Sequence, residues 1–198
     1  KAAEALEAIC ANRVARDIGR LTYTQLLNSR GGIECDLTVA RLAEDRFYIV
    51  TGTGFRTHDF GWIADHLPAE GVSFRDVTED WGTLSLMGPK ARDILAKVTT
   101  DDVSNAALPF GSAREITIAG IPTRALRVTY VGELGWELHI PIAALGTVYD
   151  ALMDAAQQRL RESNRSLDEM IYADNANDTD IQARLRDFQI AQAEVSKI

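Results

Sequence analysis

The sequence predicts an α+β fold with two related subdomains, each an antiparallel sheet with helices packed on one face. Three observations support this prediction. Strand-like runs come in pairs around glycine-containing turns, and apolar residues recur at helical spacing between them. A pattern of helix, hairpin and further strand also occurs twice along the chain, at a separation too long for a solenoid repeat.

The first copy opens with apolar residues at helical spacing in residues 5–10. Two strand-like runs, 21–27 and 33–42, then flank a turn with a Gly-Gly pair. Glycine tolerates positive φ, so this stretch predicts a hairpin. Residues 47–50 supply a third short strand.

A connecting region follows the first copy. Apolar spacing predicts a helix at 60–67, ended by the proline and glycine that come next. Strands are predicted at 72–77 and 81–87. A second helix is predicted over 91–98, after Pro89, because proline suits the first turn of a helix.

The second copy begins in that helix, where residues 94–98 correspond to residues 5–9. Both segments precede a short polar stretch, a hairpin and another strand, which the second copy places within 115–140. After Ala155 the chain becomes polar, and we expect helical pieces there. A helix of this kind is marginal in water without a packing partner.

Charge and composition exclude several classes of function. The 21 basic and 29 acidic residues give a net charge of -8, with no basic stripe, so nucleic acid is not an expected partner. No apolar run approaches the roughly 20 residues that cross a bilayer, and no signal peptide is visible. We expect a cytoplasmic location, or the mitochondrial matrix in a eukaryote, and interpret the chain as a fragment since it starts without methionine.

Common catalytic and metal motifs are missing from the sequence. Cys10 and Cys35 have neither metal-ligand nor CxxC spacing, so we interpret them as reduced thiols. His58, His66 and His139 form no HxxxH or HExxH motif, and we expect no metal site. There is no GxSxG motif, and the Gly-Thr-Gly at 52–54 lacks the third glycine of a dinucleotide fingerprint.

Asp36 is a candidate functional residue because strand interiors disfavour aspartate. Spacing alone favours an outward-facing strand residue. The alternative is a partly desolvated carboxylate that orients or deprotonates an amine. A second candidate region, 130–137, places two acids and two aromatics around turn glycines, which suits either a flat heterocycle or a plain hairpin turn.

Residues 23–39, YTQLLNSRGGIECDLTV, resemble the tetrahydrofolate-binding region of dimethylglycine and sarcosine dehydrogenases, a fold that also serves the glycine-cleavage T-protein. Supporting segments are 48–53, 84–91 and 130–138. The resemblance implies a folate-binding aminomethyltransferase-like domain at 1–155, incomplete at both ends. Residues 156–198 would then form a polar, helical tail of unknown role.

The resemblance also implies roles for individual residues. Asp36 matches the catalytic aspartate, Tyr23 and Tyr130 match tyrosines of the pterin pocket, and Glu137 matches the glutamate that pairs with the amino-pyrimidine edge. The implied product is 5,10-methylenetetrahydrofolate, formed from an iminium or aminomethyl carbon.

The implied cofactor is tetrahydrofolate, with FAD only in a separate domain outside this chain. The implied partners are an amine-derived one-carbon donor and an FAD amine-dehydrogenase domain. The run before the double glycine favours the dehydrogenase branch. A glycine-cleavage T-protein and a non-catalytic folate-binding scaffold remain the alternatives.

Overall fold

The computed structural model describes residues 1–173 and 177–195, which fall into two compact units. The first unit comprises Lys1–Thr78 with Gly111–Arg114, and the second comprises Glu79–Phe110 with Glu115–Ile198. The helices are α1 (Ala2–Ile9), α2 (Arg56–His66), α3 (Ala91–Val98), α4 (Leu145–Ile171) and α5 (Asp178–Val195). The strands are β1 (Leu21–Leu27), β2 (Ile33–Ala43), β3 (Arg46–Thr51), β4 (Trp81–Met87), β5 (Ala113–Ile118), β6 (Ile121–Leu126) and β7 (Gly135–Pro141).

The first unit is built on an antiparallel meander in the order β1-β2-β3. The predicted hairpin turn is present, with Gly31 at φ +77° and the Asn28 side-chain oxygen accepting from two turn N–H groups. Helices α1 and α2 pack on one face of the sheet. The buried core consists of Leu6, Val14, Leu26, Cys35, Leu37, Val39 and Ile63.

The second unit contains a four-stranded sheet in the order β4-β7-β6-β5. A two-residue turn joins β5 and β6, with Ala119 at φ +49° and Gly120 at φ +82°. Positive φ at both positions matches the twist of a tight hairpin. The core brings together side chains of the sheet, α3 and α4, among them Ile94, Trp136, Leu138, Val148 and Leu152.

The predicted α+β fold class with two related antiparallel subdomains is confirmed. In the first unit α1 precedes the β1-β2-β3 meander, and in the second α3 precedes β5, β6 and β7, which also lie side by side. The second sheet differs by one additional strand, β4, which pairs with β7.

One predicted strand is wrong. Residues 72–77 form no strand, although apolar residues recur there at positions 72, 74 and 77. The segment is fixed by side chains instead: Phe74 stacks on Phe60 with ring centroids 4.6 Å apart, and Arg56 Nε lies 2.6 Å from an Asp76 carboxylate oxygen. These two contacts attach the segment to α2.

The polar C-terminal region is a helical hairpin. Helix α4 runs past Ala155 without a break, and α5 packs along it. Buried Arg159 bonds Asp187 at 3.0 Å, and the Ser163 hydroxyl donates to the same carboxylate. These contacts supply the partner that an isolated polar helix lacks. The domain boundary at residue 155 stays a prediction.

Asn175 and Ala176, which are part of the polar stretch noted in the sequence, lie outside the described residues. Within the described ranges 1–173 and 177–195, no helix combines the length and apolar character needed to cross a membrane.

Candidate functional site

Asp36 lies on the outward face of the first sheet. Its neighbours Cys35 and Leu37 are buried at 2% and 3% exposure, so the strand alternation turns the Asp36 carboxylate away from the core. The structure therefore agrees with the interpretation that the Asp36 side chain faces outward from its strand.

Two side chains of β1 hold the Asp36 carboxylate. The Tyr23 hydroxyl donates to Oδ2 at 2.9 Å, and Gln25 Nε2 donates to Oδ1 at 3.0 Å. The sheet register explains both bonds, because Gln25 stands directly opposite Asp36 and Tyr23 lies two residues away on the same face. Both donors are neutral, so the bonds orient the carboxylate without neutralising its charge.

The Tyr23 side chain is 62% exposed, and its hydroxyl is committed to this bond. The hydrogen bond to Asp36 raises the pKa of Tyr23 above the ordinary value for tyrosine. The phenol therefore stays protonated at neutral pH and remains a donor. Each carboxylate oxygen accepts one of these bonds, and each retains lone-pair capacity for a ligand N–H.

Glu137 occupies the middle of β7 in the second unit, between Ser85 of β4 and Leu126 of β6. Its side chain is 29% exposed, and one carboxylate oxygen lies 3.6 Å from Nε2 of buried His139. The other ring nitrogen of His139 lies 3.2 Å from the Thr83 hydroxyl. Glu137 is thus a half-buried acceptor beside a histidine.

Tyr130 is placed differently from the other three predicted residues. It lies in the loop of residues 127–134 and is 92% exposed. No hydrogen bond joins it to Glu137 in the part of the chain that the structure describes. The structure thus brings Tyr23 and Asp36 together, while Tyr130 and Glu137 are not bonded to each other.

Gln25 and His139 were not singled out from the sequence, although each directly contacts a candidate carboxylate. The strand pattern of the sequence could have indicated both residues. Residues two apart on one strand share a face, which relates Gln25 to Tyr23 and His139 to Glu137. Hairpin register then places Gln25 opposite Asp36.

The comparisons with known proteins agree with this architecture. Residues 1–164 match the family model described as the GCVT N-terminal domain. The chain is 42% identical to mouse sarcosine dehydrogenase, mitochondrial, over an alignment of 159 residues, and the match covers 72% of this chain and 17% of the dehydrogenase. It is 34% identical to rat dimethylglycine dehydrogenase, mitochondrial, over 155 residues, which is 77% of this chain and 18% of the relative. The chain therefore spans less than a fifth of these relatives.

Among solved structures, the chain resembles the glycine cleavage system aminomethyltransferase T from Bartonella henselae. The TM-score is 0.63 at 28% sequence identity, and the match covers 76% of this chain and 40% of the other. The sequence match spans most of the chain and the structural match reproduces its fold, so the chain belongs to the GCVT N-terminal domain family.

Proposed function

We propose that this chain carries out tetrahydrofolate-dependent one-carbon transfer, as part of an enzyme like dimethylglycine or sarcosine dehydrogenase. The transferred carbon would arrive as an iminium and leave as 5,10-methylenetetrahydrofolate. Family membership and the similarity to the two dehydrogenases support this proposal. The observation that carries it is the Asp36 carboxylate, exposed to a ligand yet fixed by two donors.

Asp36 is the proposed catalytic residue. Bound tetrahydrofolate would supply the nitrogen that takes up the one-carbon unit. The Asp36 carboxylate would accept the proton that this nitrogen loses as it forms its bond to the carbon. A general base has to sit within hydrogen-bond reach of the proton that it removes. The bonds from Tyr23 and Gln25 hold the carboxylate ready for this task.

Glu137, Tyr23 and Tyr130 are the proposed folate-binding residues. The amino-pyrimidine edge of a pterin presents N–H donors, and a half-buried carboxylate such as Glu137 is a suitable acceptor for them. The two tyrosines offer exposed aromatic rings, which suit stacking on a flat heterocycle. The Glu137 carboxylate and the two tyrosine rings are the features that support tetrahydrofolate as the ligand.

A glycine-cleavage T-protein is the second candidate, and the likeness to the Bartonella aminomethyltransferase favours it. The carbon would then come from a lipoyl-bound aminomethyl group. A non-catalytic folate-binding scaffold is the third, and retention of Asp36 argues against it. For the first candidate, a dehydrogenase-like enzyme, the proposed partner is an FAD amine-dehydrogenase domain. The proposed location is the cytoplasm or the mitochondrial matrix.

Calorimetric titration of this chain with tetrahydrofolate under anaerobic conditions tests the proposal. We expect micromolar binding by the parent chain and weaker binding by Glu137→Ala. Equal affinity for the two proteins would overturn the assignment of Glu137. Absence of binding to the parent chain would reject a folate site in this chain.

A further inference from the structure

A second group of chemically active side chains lies on the opposite face of the first sheet from Asp36. The Cys35 thiol, the His58 imidazole and the Asp59 carboxylate each offer a ligand atom, and these atoms lie within 4.8 Å of one another. We propose that Cys35, His58 and Asp59 form a binding site for a divalent transition-metal ion of the zinc type.

Burial of Asp59 is the first argument. Its carboxylate is only 2% exposed, and its contacts are the Thr51 hydroxyl, the His58 ring and the Cys35 thiol. Among the described residues, neither lysine nor arginine pairs with it. A buried carboxylate needs a compensating positive charge. When His58 is neutral, as a metal ligand must be, a divalent ion held by these three side chains supplies that charge.

The orientation of His58 is the second, independent argument. Its Nδ1 faces Asp59 Oδ1 at 3.0 Å, while Nε2 faces Glu34 Oε2 at 3.7 Å. Asn28 Nδ2 donates to the other Glu34 oxygen at 2.8 Å. Histidines that ligate metals commonly direct their second ring nitrogen toward a carboxylate, which fixes the tautomer. The His58 ring has this arrangement, because Nε2 faces the Glu34 carboxylate and Nδ1 faces Asp59, one of the other two proposed ligands.

The donor set selects the class of ion. Thiolate sulfur and imidazole nitrogen suit Zn²⁺ and related ions, whereas Mg²⁺ and Ca²⁺ prefer oxygen donors only. Three protein ligands leave one position of a tetrahedron for a further ligand. The His58 side chain is 51% exposed, so an ion reaches the site from its edge.

Binding requires loss of the Cys35 proton. Burial and the negative charge of Asp59 raise the pKa of Cys35 to about 12, so the thiol is protonated before the ion arrives. The ion replaces that proton as the S–H bond breaks and the metal–sulfur bond forms. The sulfur keeps the electron pair, and the proton passes to buffer.

Titration of the whole chain with Co²⁺, followed by competition with Zn²⁺, tests the site. A bound cobalt ion with a thiolate ligand gives a sulfur-to-metal charge-transfer band in the near ultraviolet. We expect one equivalent of Co²⁺, displacement by Zn²⁺ and no displacement by Mg²⁺. Calorimetry in two buffers of different protonation enthalpy should show about one proton released.

The second cysteine provides a matched control. Cys35→Ser should abolish the band, and His58→Gln should weaken binding at least tenfold, since each removes one ligand. Cys10→Ser should keep both the band and the stoichiometry, because Cys10 is outside the group. His58 is half exposed, so its variant stays folded, as circular dichroism will verify.

Two results would overturn the proposal: a parent chain that gives no charge-transfer band, or a band that survives Cys35→Ser and disappears in Cys10→Ser. In the first case His58 and Asp59 would be a plain ion pair. Neither result affects the folate proposal, since Asp36 lies on the other face of the sheet.

Discussion

Strands β2 and β7 are inner strands of the two sheets, and each carries a candidate carboxylate in very different surroundings. Along β2 the buried residues Cys35, Leu37 and Val39 alternate with more exposed ones, so Asp36 projects from an open face. Along β7 almost every residue is buried, and Glu137 remains half exposed among them. Asp36 is thus exposed by the open face of its strand, whereas Glu137 is a partly exposed residue in a mostly buried strand.

Packing explains the difference. Helices α1 and α2 cover one face of the first sheet, and the alternation of β2 matches a sheet with one apolar face. In the second unit β7 lies between β4 and β6, and its side chains join a larger core with α3 and α4. Substitutions on the open face of β2 should therefore change chemistry, whereas substitutions in β7 should change stability first.

The largest expected effect is loss of the β7 indole. Trp136 is fully buried, with the guanidinium of Arg127 4.7 Å from its ring centroid. Trp136→Ala should lower the free energy of unfolding by about 3–5 kcal/mol, since it opens a large cavity. Urea denaturation measures this. Tyr130→Ala, at a 92% exposed position of the same unit, should stay within about 0.5 kcal/mol. Equal losses of unfolding free energy in the two variants would contradict the expected difference between a buried and an exposed position of this unit.

The next effect tests the catalytic role proposed for Asp36 on the open face of β2. Asp36→Asn should slow one-carbon transfer by roughly a hundredfold or more, which corresponds to about 2.7 kcal/mol, and leave folate affinity within about tenfold. Asp45→Asn is the control, because Asp45 is an exposed carboxylate in the same unit. Single-turnover kinetics with the complete enzyme measure the step. Unchanged turnover would contradict the role of Asp36.

A smaller effect is expected from the half-buried acid of β7. Glu137→Ala should weaken tetrahydrofolate binding by about 1–3 kcal/mol, because pterin donors lose a partly desolvated acceptor. Titration calorimetry measures the change. Glu169→Ala removes an exposed carboxylate that pairs with Arg165 on α4 and should bind like the parent. The assignment fails if both variants lose the same affinity.

The smallest effect is expected for Tyr23→Phe. This change removes one exposed hydrogen bond to Asp36 and keeps the ring, so the free energy of unfolding should fall by less than about 1 kcal/mol. The transfer rate should fall less than about tenfold, because Gln25 still holds the carboxylate. Tyr172→Phe, at an 84% exposed position, is the control for stability. A rate loss as large as that of Asp36→Asn would mean that Tyr23 itself reacts.

Local patterns predicted the hairpin of the first unit well. The period of two along 33–42 and the Gly-Gly turn fixed the hairpin, and the unusual strand aspartate identified Asp36. The strand predicted at 72–77 of the same unit is absent, and Phe74 and Asp76 contact α2 instead. Alternation describes which side chains are covered, and a helix covers them as readily as a strand.

The sequence by itself determined the α+β class, the paired hairpins and the family, because turn glycines, apolar periods and the 23–39 segment act over short distances. Tertiary structure decided the rest. The pairing of Gln25 with Asp36 depended on sheet register, and the gathering of Cys35, His58 and Asp59 depended on packing α2 against β2. These contacts depend on how separate strands and helices are placed against one another, and that geometry exists only once the chain has folded.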